Sequence, residues 1–325
     1  MRGKVPLRMR IMAALSSGPD WDSVTPDQVV EIRAEQDRLR RSSIGRLVTG
    51  RPDRGARIAT HTLELPGRRI DARVYQPDRA DAPLPLIVAF HGGGCLTGTP
   101  EQDDWLLSHL AAQCPAVVAS VDYRLAPEHP LPAAVDDAYD ATRRLVELAG
   151  QWCADPAAVA VIGASAGASL AALVAIRARE LGVPVCAQVL VNPQLDWTER
   201  AFEHPSFTEN ADSPTSTPAN CRAVLRLAVP ASLDADTISP LSFDDLTGLA
   251  PALIQSVGTD TLEDQATAYA ERLRDAGVET ALTGYPEATH AFLSMSGMVP
   301  TAGAARTEIL AYLRSHLFER SDAQR

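Results

Sequence analysis

The chain has 325 residues, of which 46% are hydrophobic and 22% charged, and its formal net charge is −11. That composition excludes intrinsic disorder and a membrane-embedded chain, and the length suits one large α/β core with a small accessory piece. The acidic balance argues against polyanionic partners, nucleic acid included, because Lys and Arg form no strip able to neutralise phosphates.

Five cysteines, Cys95, Cys114, Cys153, Cys186 and Cys221, lack the close pairing of a zinc or redox motif and read as free thiols of a reducing compartment. The opening MRGKVPLRMRIMAALSSG places basic residues before an apolar run of about six, short of a secretory core. No segment approaches the roughly 18 apolar residues of a membrane span. A cytoplasmic location is the expectation.

In chain order, residues 25–42 open with Thr25, Pro26 and, three residues after the threonine, Gln28, the signature of a capped helix. Between Arg57 and Gln76 apolar and polar residues alternate around Pro66-Gly67, which predicts an antiparallel hairpin. Buried strands are then predicted at 84–90, 116–121, 158–163, 186–191, 252–257 and 280–285. Helical stretches lie between them, including 133–150 and 262–277. Continuous apolar strands alternating with helices indicate a mostly parallel sheet covered on both faces, with ligands bound beyond the carboxyl ends of its strands. Residues 198–235, rich in Pro, Ser, Thr and Asn with a helix near 219–229, break the alternation and read as a lid over that face. The expected organisation is a small helical piece at 1–50 and a catalytic domain spanning 51–325 with the insertion at about 198–235.

Gly163-Ala164-Ser165-Ala166-Gly167 stands directly between a strand and a helix, the context of the nucleophile elbow of α/β-hydrolases. A serine needs a base, and His290, in the loop after the last strand, lies where one would sit. Asp260, after the strand at 252–257, can orient that imidazole; Asp264 and Asp196 are rivals for the role. His91-Gly92-Gly93-Gly94 follows the strand at 84–90, and a glycine run lets backbone N–H groups approach a developing oxyanion, assisted by the N–H of Ala166. The remaining histidines show no ligand spacing, so no metal is expected.

Taken together, HGGG at 91–94, DYRLAPEHPLPAAVDD at 122–137, GASAG at 163–167, DTLEDQ at 260–265 and His290 resemble the bacterial hormone-sensitive-lipase family of carboxylesterases, from about Leu63 to the C-terminus. The resemblance implies an α/β-hydrolase fold with an eight-stranded sheet and one helical cap formed by the piece at 1–50 and the insertion. It also implies hydrolysis of short to medium acyl esters of small molecules without a cofactor. Residue by residue it implies a triad of Ser165, Asp260 and His290 and an oxyanion hole of Gly93, Gly94 and Ala166. His91 would shape its loop, and the block at 122–137 would give structural support through Asp122, Arg124 and Glu128. Ala164 and Ala168 depart from the family's usual GDSAGG elbow, and Cys95 stands where an aromatic residue often follows HGGG. Cys95 is therefore expected to line the substrate pocket. Met9, Ile11, Met12 and Leu15 are candidates to cover the acyl group, and an exposed last strand would support a homodimer. The rival readings are an acyltransferase or amide hydrolase with the same triad, and a non-catalytic ligand receptor, against which the presence of His290 speaks.

Overall fold

The computed structural model describes residues 5–15, 18–79 and 83–323. Residues 1–4, with the first basic residues of the opening segment, and the side chain of Leu15 lie outside the described part.

Three helices come first: α1 (Leu7–Leu15), α2 (Pro26–Arg41) and α3 (Ser43–Thr49). The cap predicted for α2 is formed in full, with Gln28 N donating to Thr25 Oγ1 (3.3 Å) and Thr25 N to Gln28 Oε1 (2.9 Å). Ser42 ends α2 and starts α3, since its Oγ donates to Leu39 O (2.6 Å) and accepts from Gly45 N (3.0 Å). A short polar side chain that bonds the backbone on both sides turns one helical stretch into two.

The hairpin of β1 (Ala56–Leu65) and β2 (Arg68–Pro77) follows, then β3 (Leu84–Phe90), α4 (Asp104–Gln113), β4 (Val117–Asp122), α5 (Ala133–Leu148), β5 (Ala154–Ala164), α6 (Ala166–Leu181) and β6 (Val185–Val191). The insertion carries α7 (Ser206–Glu209) and α8 (Pro218–Ala228), and the chain ends with β7 (Ala252–Val257), α9 (Glu263–Asp275), β8 (Thr280–Tyr285) and α10 (Ala302–Ala323). The eight strands form one sheet in the order β1-β2-β4-β3-β5-β6-β7-β8, antiparallel from β1 through β2 to β4 and parallel from β4 to β8.

Strand alternation divides the core into two layers. Leu86, Val88 and Phe90 of β3 face a cluster that includes Leu145 of α5, Leu173 of α6 and Leu273 of α9. Ile87 and Ala89 face a second cluster with Leu107 of α4 and Ile309 of α10. All seven residues of β3 are buried, which explains why the strand reads as one apolar run and not as an alternation. Truncating a fully buried residue such as Leu86 to Ala should cost ~2–5 kcal/mol. Helices therefore cover both faces, and the loops after β3, β5, β7 and β8 meet at one rim.

Candidate active site

β5 delivers Ser165 at its carboxyl end. The residue takes φ 55° and ψ −122°, a strained backbone conformation for a residue with a side chain. Its N–H donates to Val191 O (2.9 Å), and its carbonyl accepts from Gln194 N (3.2 Å). The loop after β6 thus over-determines the turn. The glycines are a steric requirement: a Cβ on Gly163 would lie 2.1 Å from Gly167 O, and one on Gly167 would lie 2.1 Å from Phe90 O. Ala168 is wholly buried behind the elbow, where its methyl packs in the core.

The hydroxyl of Ser165 is 2.8 Å from His290 Nε2, and His290 Nδ1 is 2.6 Å from Asp260 Oδ2. Asp260 is 1% exposed, and its second carboxylate oxygen accepts from Leu262 N (3.1 Å). With Nδ1–H donating to the carboxylate, Nε2 carries the lone pair that can take the serine proton. Three segments far apart in the chain are thereby joined by an unbroken line of hydrogen bonds. Both rivals of Asp260 point elsewhere: Asp264 Oδ2 accepts from Ser206 N (2.8 Å), and Asp196 Oδ1 from Thr198 N (2.8 Å).

The glycine loop after β3 faces the serine. Gly93 and Gly94 adopt φ 130° and 64°, and the Gly93 carbonyl is taken up by the N–H groups of Leu96 and Thr97, each at 3.0 Å. Gly93 and Gly94 line one cavity with Ser165 and His290, while Ala166 is buried directly behind the serine. As the first residue of α6, Ala166 presents one of the N–H groups that a helix leaves unpaired at its positive end. His91 braces the loop from below. It is wholly buried, stacks on Tyr123 at 4.2 Å, holds Nδ1 3.0 Å from Gly92 O, and accepts on its own carbonyl from Tyr123 OH (2.7 Å). Burial pushes its imidazole down to about 4.

The expectation for Cys95 is corrected. Gly94 and Leu96 line the cavity, but Cys95 is 1% exposed and packed in the main core cluster, where burial pushes its thiol up to about 12. With φ 55° at this residue the tight turn after the glycines directs the side chain into the protein. The cysteine that does reach the cavity is Cys221 of α8.

The cavity measures about 590 Å³, within the range of ~300–1,000 Å³ usual for small-molecule sites. Its wall is largely aliphatic, with Met12 from α1, Leu39 from α2, Ile44 and Val48 from α3, Val224 from α8, and Met295. Of the N-terminal candidates, Met12 lines the cavity, Met9 is buried in the second core cluster and Ile11 is 51% exposed.

Two sets of contacts position this site and carry no local sequence signal. Arg33 of α2 donates to Leu96 O (2.8 Å), Ala126 O (2.6 Å) and Glu128 Oε1 (2.8 Å), tying the N-terminal helices to the glycine loop and the 122–137 block. Within that block Arg124 is forked onto the buried Asp137 at 2.9 Å, whereas Asp122 sits exposed at the end of β4. From the insertion, Ser206 Oγ donates to Thr261 O (2.6 Å), Asn210 Nδ2 donates to Asp260 O (2.8 Å), and Ser216 Oγ lies 2.6 Å from Thr261 Oγ1. The loop bearing Asp260 is thus held by the segment 206–216.

A serine on a strained elbow at the rim of a doubly covered, mostly parallel sheet defines the architectural class of the α/β-hydrolases. A family model described as the alpha/beta hydrolase fold matches residues 87–294. Carboxylesterase NlhH of Mycobacterium tuberculosis is 38% identical over 268 residues, covering 80% of this chain and 83% of that protein. Ethyl acetate hydrolase of Pseudomonas putida is 31% identical over 311 residues, covering 93% of this chain and 96% of its own. Among solved structures, the hyperthermophilic esterase of the archaeon Pyrobaculum calidifontis shares 32% identity with a TM-score of 0.86, over 97% of this chain and 99% of that one. The chain belongs to the α/β-hydrolase family, within its branch of carboxylesterases similar to hormone-sensitive lipase.

Proposed function

We propose that this chain is a serine carboxylesterase hydrolysing short to medium acyl esters through an acyl-enzyme. The observation that carries the reading is the relay from Ser165 Oγ to His290 Nε2 (2.8 Å) and from His290 Nδ1 to Asp260 Oδ2 (2.6 Å), opening onto an aliphatic cavity. Ser165 Oγ attacks the ester carbonyl while His290 Nε2 takes its proton, and Asp260 stabilises the imidazolium that forms. The carbonyl oxygen becomes an oxyanion held by the N–H groups of Gly93, Gly94 and Ala166, each such donor being worth ~2.7–4 kcal/mol of barrier. The tetrahedral intermediate then expels the alcohol, protonated by His290, and water repeats the sequence on the acyl-enzyme.

The partner is a small ester. An acidic chain with free thiols is compatible with the cytoplasm and with no role in nucleic-acid binding, and no helix among the described residues is long and apolar enough to cross a membrane. The edge strand β8 offers a route to a homodimer.

A chain-length series of nitrophenyl esters tests the reading, with native protein and Ser165→Ala. We expect short and medium chains to be turned over fastest and the substitution to lower kcat by roughly 10³-fold or more. Hydrolysis that survives the substitution would remove Ser165 from its role, and preferential transfer to an added alcohol would make the protein an acyltransferase.

A further inference from the structure

The acidic balance of the whole chain conceals local exceptions. Residues 38–51 carry Arg38, Arg40, Arg41, Arg46 and Arg51 and no carboxylate, in a chain with net charge −11; Arg38 and Arg40 pair with Glu35 and Asp37 one turn earlier, and Arg41, Arg46 and Arg51 are exposed. This stretch is the end of α2 and all of α3, the part of the cap that forms the cavity rim. Large aliphatic side chains stand exposed on the same surface: Leu39 at 54%, Ile44 at 73% and Leu47 at 74%. Leu39 and Ile44 also line the cavity, so the exposed apolar surface runs into its mouth.

α1 extends the patch. Leu7 and Ile11, one helical turn apart, are 68% and 51% exposed, while Met9 and Met12 face inward. Arg8 Nη1 donates to Gly297 O (3.1 Å), and Gly297 N donates to Val48 O (2.9 Å), so Gly297 links α1 to α3. Exposed large apolar side chains are ordinary when single; five on one cap, interleaved with arginines around a cavity mouth, are not.

We propose that this cap face docks on an anionic lipid surface with the cavity mouth turned toward it. Charge complementarity selects the occupant. Arginines near a surface of acidic phospholipid are each worth a severalfold gain in affinity, and the leucines and isoleucines suit the boundary between headgroups and acyl chains. A nucleic acid would use the arginines and leave the aliphatic side chains in water, and a second copy would bring like charges together. Docking of this kind is reversible and peripheral. It would let an apolar ester pass from the lipid into the cavity without crossing water, a consequence that rests on the esterase reading; the docking itself does not.

Vesicle flotation with the full chain carrying Ser165→Ala tests docking apart from catalysis. The vesicles are phosphatidylcholine alone, and phosphatidylcholine with a third phosphatidylglycerol. The expected result is binding to the anionic vesicles only, weakened by high salt and lowered about tenfold or more by Arg46→Glu and by Leu47→Glu, neither of which lines the cavity. Unchanged thermal unfolding of the two variants confirms that they fold. Equal binding by the variants, no binding to anionic vesicles, binding of nucleic acid in place of vesicles, or a concentration-dependent dimer abolished by Leu47→Glu in a protein that ignores vesicles would each overturn the proposal.

Discussion

Asn210 donates its side-chain amide to the main-chain carbonyl of Asp260 at 2.8 Å, so a residue of the insertion holds the loop that carries the carboxylate facing His290. The bond is buried, and its loss leaves a carbonyl without its partner. Asn210→Ala should lower kcat by roughly five- to thirtyfold, the equivalent of ~1–2 kcal/mol, with KM little changed. Steady-state kinetics with a soluble nitrophenyl ester checks this; an effect confined to KM would show that Asn210 shapes the pocket and not the relay.

Gly94 is confined by its own backbone and by α8. At φ 64° a Cβ would be strained, and it would lie 2.6 Å from Val224 Cγ2. Gly94→Ala should lower kcat/KM by about 10²-fold by displacing the oxyanion donor proposed there. Adding Val224→Ala removes the collision but not the backbone strain, so the double variant should recover only part of the loss. Full recovery would mean that space alone makes this position glycine.

Stability should respond to pH through two buried groups of opposite sign. His91 is held at about 4 by burial against an ordinary 6.5, so the unfolded chain binds the extra proton between those values. The neutral imidazole's contribution, of order 3 kcal/mol, is therefore lost as pH falls from about 6.5 toward 4. Burial pushes Asp103 up to about 6 from 3.8, and here the folded chain binds the extra proton. Its contribution is lost as pH rises through that window. Denaturant unfolding across pH 4 to 6.5 measures both, and His91→Phe should flatten the acid-side decline while Asp103→Asn steepens it. Parallel curves for all three proteins would contradict the assignment.

Arg33 joins α2 to two loops at once through Leu96, Ala126 and Glu128, with its side chain 17% exposed. Arg33→Met keeps much of the aliphatic stem and leaves two buried carbonyls unpaired, which should cost ~2–3 kcal/mol. Thermal unfolding should show the loss. Glu128→Gln should cost less, because its partner keeps both carbonyl contacts and the glutamate side chain is 45% exposed.

What the sequence shows of this fold follows from which interactions are local. β3 and β7 are buried along their whole length and stand out as apolar runs, and Thr25 with Gln28 announces α2 because both halves of the capping box lie within one turn. The start of β5 falls outside the strand expected at 158–163: Ala154 is buried, but Asp155 is half-exposed and Pro156 and Ala157 are exposed where the strand first pairs with Leu84 and Pro85, so no apolar run marks it. Ser165, Asp260 and His290 stand out in the sequence because each follows a recognisable strand, and the structure brings their side chains within hydrogen-bond reach. Cys95 departs from expectation for the converse reason: nearness in sequence to the glycine loop does not reveal which way a turn at φ 55° sends the side chain. Asn210 and Arg33 act across 50 and 63 residues, and no periodicity encodes such pairs.

Ser165 is proposed as the sole nucleophile, activated by His290. The most direct test is reaction with a fluorophosphonate ester followed by intact-mass and peptide analysis. One adduct per chain is expected, on Ser165, with loss of esterase activity in step with labelling and no adduct in Ser165→Ala. Labelling at another residue, such as Cys221, or full activity in a chain whose Ser165 is stoichiometrically blocked, would contradict that role.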